Sequence, residues 1–126
     1  MQSPVYHYDP SSEFYLGENC YITELLNTDA DSDVSIARAR VLPAQTTRWH
    51  SLTGTVERYV ILEGEGLVEV GDQPPTHVKP GDTVLIPAEC PQRIANVSSE
   101  DLVFLAVCSP RFRPENYCDL EAQPSG

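Results

Sequence analysis

Positive charge is what this chain has least of. Its 126 residues hold 8 lysines and arginines against 19 aspartates and glutamates, a net charge of −11, and none of the basic residues falls before position 34. Nucleic-acid binding draws most of its affinity from a basic footprint, so that class is excluded; anionic membrane surfaces are disfavoured for the same reason. Long apolar runs are missing too. The longest, Leu102 to Cys108, is too short to span a bilayer, and the first residues lack the basic start and apolar core of a secretory signal. A cytoplasmic location is therefore the expectation. The four cysteines, Cys20, Cys90, Cys108 and Cys118, form neither a CxxC pair nor a zinc knuckle, so free thiols are expected. Cys20 and Cys108 read as small buried hydrophobes within strands. Cys90, in a loop before Pro91, reads as a packing residue with the mouth of a pocket as its alternative. A chain of this length forms one domain that buries about two thirds of its unfolded surface without disulfide staples.

No long amphipathic helix is present; short strands punctuated by Pro and Gly take its place. Cys20 to Leu26 reads as a strand, followed by a polar turn-rich loop over Asn27 to Asp33. Val34 to Leu42 alternates as a strand, with Arg38 and Arg40 on one face and Ala37 and Ala39 on the other. Facing inward, the arginines would hold an anionic ligand; facing outward, they would be solvated or pair with the acid-rich first 33 residues. The second reading is preferred because charge is rarely buried unpaired. Thr76 to Lys79, Thr83 to Pro87 and Gln92 to Asn96 are further short strands, and Leu102 to Cys108 reads as one buried on both faces. His7 and His77 have no ligand-like spacing; His7 is read as a surface or dimer-contact residue and His77 as an exposed one. The tail, 109–126, has no clear period; it is expected to wrap the barrel or a second subunit and to be mobile at its last residues.

The most informative stretch is Arg48 to Gly66, RWHSLTGTVERYVILEGEG. Two strands rich in Val, Ile, Leu and Tyr flank Glu63-Gly64-Glu65-Gly66, which reads as a tight hairpin turn. With a period of two, Arg48, His50 and Leu52 share one face, and Glu57, Tyr59 and Ile61 share a face of the next strand.

This stretch resembles the first motif of the cupins: Pro-Gly, several residues, His-x-His, three or four residues, Glu, six residues, Gly. Counting forward from Pro43-Ala44 puts His50 at the first histidine and Leu52 at the second; counting back from Glu63-Gly64 puts Glu57 at the glutamate. The second cupin motif is matched by Pro80-Gly81-Asp82-Thr83-Val84-Leu85-Ile86-Pro87 and Pro91-Gln92-Arg93-Ile94-Ala95-Asn96, with Gln92 where the family usually has histidine. The resemblance covers about 34–108. It implies a single RmlC-like, all-β double-stranded β-helix or jelly-roll barrel, preceded by an arm over 1–33 and followed by the tail. It also implies a homodimer formed through edge strands, with the acid-rich arm as the candidate contact.

The resemblance places His50, Glu57 and Gln92 at three of the four usual metal-ligand positions. Leu52 cannot serve as the fourth. One imidazole, one carboxylate and one amide make a reduced site, which would suit Mn, Fe, Ni or Zn completed by water or substrate. In that reading the protein is a metal-assisted isomerase, lyase or oxygenase acting on a small polar or anionic molecule, with Arg48 steadying an anionic group. Alternatively no metal is bound and Arg48 pairs with Glu57. His50 and Gln92 would then hydrogen-bond a small ligand between walls formed by Tyr59, Ile61, Ile94 and Phe104, in a sensor or binding module. A third possibility makes His50 and Glu57 the acid-base pair of a metal-free epimerase or isomerase.

Overall fold

The computed structural model describes residues 4–17 and 19–121. Its strands are β1 (Phe14–Tyr15), β2 (Tyr21–Leu26), β3 (Ser35–Val41), β4 (His50–Leu52), β5 (Val56–Glu63), β6 (Gly66–Val70), β7 (Thr76–Val78), β8 (Thr83–Ile86), β9 (Gln92–Asn96), β10 (Leu102–Ser109) and β11 (Tyr117–Asp119). They form two sheets, β1-β2-β3-β10-β5-β8 and β11-β4-β9-β6-β7. All pairings are antiparallel. This is the expected all-β jelly roll, in which two sheets bury alternate side chains against each other. The inner faces supply a core of Val41, Ile61, Val68, Val78, Ile86, Ile94, Leu102 and Phe104. Among the described residues no helix is long and apolar enough to cross a membrane.

The Glu63 to Gly66 turn is not a hairpin. β5 pairs with β10 and β8, whereas β6 pairs with β9 and β7, so the chain changes sheets between them. Gly64 has φ +77, and a Cβ there would lie 2.6 Å from the Asp101 carbonyl oxygen. At Gly66 a Cβ would meet Ile94 and Leu102 at 3.1 Å. Glycine is needed here because backbone passes close under backbone at a barrel corner.

β10 also departs from its reading. Leu102, Val103 and Phe104 are buried, but further along Leu105 and Val107 are half-buried while Ala106 and Cys108 remain covered. The strand lies between β3 and β5, with its inner face in the core and only its start covered on both sides.

β3 turns its alanines inward and its arginines toward the acidic arm. The Arg40 guanidinium donates to Glu13 at 2.7 and 2.9 Å and to Asp101 at 3.1 Å, and stacks 4.5 Å from the Tyr21 ring centroid. Arg38 lies 3.8 Å from Glu13. β1 adds a two-residue pairing to the edge of β2. The tail adds β11 to the edge of β4, with Tyr117 opposite Leu52 and Asp119 opposite His50. The expectation about its last residues falls on 122–126, outside the described residues. His7 and His77 are exposed, the latter 3.4 Å from Glu65.

Candidate functional site

The inward period of β5 puts Glu57 and Tyr59 on the same wall of the barrel, while β4 and β9 bring His50 and Gln92 from the opposite sheet, where they are cross-strand partners. All four are buried: His50 and Glu57 are each 8% exposed, Tyr59 4% and Gln92 0%. The three residues placed by motif counting therefore do converge.

Gln92 bridges the two sheets. Its Nε2 donates to Glu57 Oε1 at 2.5 Å, and its Oε1 accepts from the Tyr59 hydroxyl. Cys108, opposite Glu57 across the β5–β10 ladder, brings its thiol 3.7 Å from Glu57 Oε2. Burial raises the Glu57 pKa, against the lowering effects of the Gln92 amide, His50 and the Cys108 thiol. Burial likewise raises Tyr59 and Cys108, with Glu57 adding to both. The phenol and the thiol thus stay protonated as hydrogen-bond donors.

His50 is fixed on the other side. Its Nδ1 lies 2.7 Å from the Arg48 carbonyl oxygen; because a carbonyl can only accept, Nδ1 donates in this contact and the ring orientation is fixed through it. The ring stacks on Tyr117, with centroids 5.1 Å apart and planes at 17°. The tail thereby becomes part of the site, although nothing in its sequence pattern marks it.

Arg48 does not pair with Glu57. Its Nε donates to Asp119 at 3.0 and 3.2 Å, because β11 brings that carboxylate to the outer edge of β4. Arg48 serves the site through its backbone carbonyl, and its guanidinium is not among the groups lining the cavity.

A cavity of about 120 Å³ opens between the sheets, lined by His50, Glu57, Tyr59 and Phe104 among others. Ile61 and Ile94, expected as walls, are core residues that do not line it. Sequence reasoning missed Phe14 and Leu16 of the arm, Ile22, Ile36, Phe112, Tyr117 and both buried thiols, Cys20 and Cys108. The alternation of β3 could have given Ala37 and Ala39, which line it as well. Cys90 packs instead near Gly71, where a Cβ would meet its sulfur at 3.1 Å.

As placed here, the three motif residues do not present a ligand set to a divalent ion. The Gln92 oxygen is turned onto Tyr59, both Glu57 oxygens accept protein donors, and Leu52 supplies none. Among the described residues no group of three His, Cys, Asp or Glu side chains is gathered where it could hold a metal. His50 alone has the orientation of a ligand imidazole.

The geometry and the fold agree with what comparison finds. A family model described as cupin domain matches residues 37–108, and the chain belongs to the cupin family. It is 33% identical over 116 residues to an uncharacterised protein of Methanocaldococcus jannaschii, covering 90% of this chain and 92% of that one. An uncharacterised double-stranded β-helix protein of Klebsiella pneumoniae superposes with a TM-score of 0.76 at 20% identity, covering 96% of this chain and all of that one. KdgF from a Halomonas species gives 0.75 at 14% identity, covering 86% and 95%. At such identities the structural likeness extends to the fold alone.

Proposed function

We propose that this cupin is a metal-free small-molecule-binding module whose pocket has His50 and Glu57 among its polar groups. The observation that carries the reading is the Gln92 bridge. One amide satisfies both Glu57 and Tyr59, filling with protein hydrogen bonds the position where the family's second-motif histidine would point at a metal. Buried polar groups with partners need no ion. The surrounding walls, including Phe104, Phe112, Ile22, Ile36 and Leu52, are apolar, as in sites that enclose small ligands.

The test is metal content after reconstitution of tag-free protein with Mn(II), Fe(II), Ni(II) or Zn(II). Wild type is expected to retain well under one equivalent after desalting, and Gln92→His, which restores a second imidazole beside His50 and Glu57, is expected to gain metal. Near-stoichiometric metal in wild type, lost in His50→Ala and Glu57→Ala, would overturn the reading. That outcome would favour a second one, a metal-assisted isomerase, lyase or oxygenase, for which the oriented Nε2 of His50 is the supporting observation.

A further inference from the structure

Resting on that reading, we infer that the pocket takes a small neutral molecule, a hydrocarbon body of about five or six heavy atoms carrying one hydroxyl or carbonyl, rather than an anion or a sugar. The space comes from short side chains. Ala37 and Ala106 are partners across the β3–β10 ladder, Ala39 stands opposite Phe104, and all three alanines line the cavity. Longer residues at these inward positions would fill it, as Ile61 and Ile94 do in the core.

Size sets the first limit. The cavity is about 120 Å³, and one of roughly 150 Å³ accepts benzene, so a hexose or a nucleotide is too large.

The hydrogen-bonding groups set the second. Asn27 donates to the Phe112 carbonyl and accepts from Arg111, Ser35 and Thr47 accept from the Phe112 and Ile94 amides, and Tyr59 donates to Gln92. The lining hydroxyls of Ser35, Thr47 and Tyr117 can each both donate and accept, so they suit an alcohol or a carbonyl alike. Phe14, Ile22, Ile36, Leu52, Phe104 and Phe112 supply apolar wall. There a polyol would bury hydroxyls without partners, whereas burying hydrocarbon is favourable.

Charge sets the third. Among the described lining residues there is no lysine or arginine. Arg58, beside Glu57 in sequence, donates to Ser109 and the Val56 carbonyl, Arg111 to Asn27 and Asp29, and Arg48 to Asp119. His50 is the one lining side chain able to carry positive charge, and that charge already acts on Glu57. The balance is the same whether the pair is ionised or neutral, so an anion gains no uncommitted counter-charge. An ammonium fares no better: both Glu57 oxygens accept protein donors, and the other lining carboxylate, Glu24, is exposed to solvent.

Matched probes test this on the intact protein, titrated by NMR while following the amides of Phe112 and Tyr117: isopropyl methyl ketone against isobutyrate, isobutanol against isobutylammonium, and glycerol as a polyol of similar size. Each neutral member is expected to bind at least about tenfold more tightly than its charged partner, and both more tightly than glycerol. Ala37→Leu, which fills the space, should weaken ketone binding at least about tenfold, with the fold unchanged by circular dichroism. Should that variant not fold, the wild-type comparisons decide by themselves. A charged probe binding as tightly as its neutral partner would overturn the neutral class and leave the small-molecule pocket standing. Glycerol binding as tightly as isobutanol would overturn the hydrocarbon body, and full affinity in folded Ala37→Leu would overturn the placement of the guest in this cavity. No shift at Phe112 or Tyr117 with any probe would overturn both class and pocket. Metal uptake by wild type, measured separately, would remove the underlying reading first.

Discussion

Two glutamates in this molecule have opposite environments. Glu13, on the acidic arm, receives two hydrogen bonds from Arg40, which hold its pKa below the ordinary value of 4.5. Glu57, inside the barrel, receives hydrogen bonds from an amide and a thiol but none from a lysine or arginine, and burial moves it above 4.5 against the lowering effect of His50. A charged partner stabilises the ionised form, whereas neutral donors in a dry pocket only partly offset the cost of removing charge from water. The contrast arises from topology. Arg40 faces outward from β3 toward the arm, and Arg48 is taken by Asp119 on β11.

The largest effect expected from breaking this arrangement is at the bridge. Gln92→Leu leaves Glu57 and Tyr59 buried without their shared partner and should lower unfolding free energy by about 3 kcal/mol, read from denaturant unfolding at pH 7. A loss below about 1 kcal/mol would mean that the amide does not hold the two sheets together as described.

Glu57→Gln should have a smaller effect, of different form. Because the folded-state pKa of Glu57 lies above its unfolded value, its contribution is most favourable at and below pH 4.5 and declines as pH rises from there through the raised pKa. The amide variant keeps a polar group opposite Gln92 but cannot ionise. Its stability at pH 7 should therefore be within about 1 kcal/mol of wild type or above it, with that part of the pH slope gone. Unfolding midpoints between pH 4 and 8 check the sign.

Glu13→Gln sharpens the other half of the contrast. The stability that Glu13 contributes is present above pH 4.5 and is lost as pH falls through its lowered pKa. The variant should cost at most about 1 kcal/mol at pH 7, and less in high salt. Arg48→Met should have the smallest effect on the site: the Glu57 titration midpoint should not move, because the guanidinium pairs with Asp119. A clear shift in that midpoint, followed by carboxyl NMR, would restore the Arg48–Glu57 pair that the sequence suggested.

These variants also separate what was legible in the sequence from what was not. Period-two alternation placed Glu57 and Tyr59 on one wall, and motif spacing brought His50 and Gln92 to face them, because strand geometry fixes side-chain direction locally. The turn at Gly64 was misread because glycine in a left-handed conformation serves a hairpin and a sheet-switching corner alike; which one forms depends on the pairing of β6 with β9. The partner of Arg48 was hidden for a related reason. Asp119 lies 71 positions away, and a short strand added at a sheet edge leaves little periodic signal. The arm's role in lining the cavity through Phe14 and Leu16 was equally illegible, since two residues of β1 are too few to show alternation.

The central claim, that hydrogen bonds within the protein rather than an ion satisfy Glu57, is tested most directly by the Glu57 side-chain carboxyl resonance in ¹³C-labelled protein. The account predicts a titration midpoint above 4.5 and a signal that survives one equivalent of Mn(II). A midpoint below 4.5, or loss of that signal at one equivalent while other buried carbons remain visible, would contradict it.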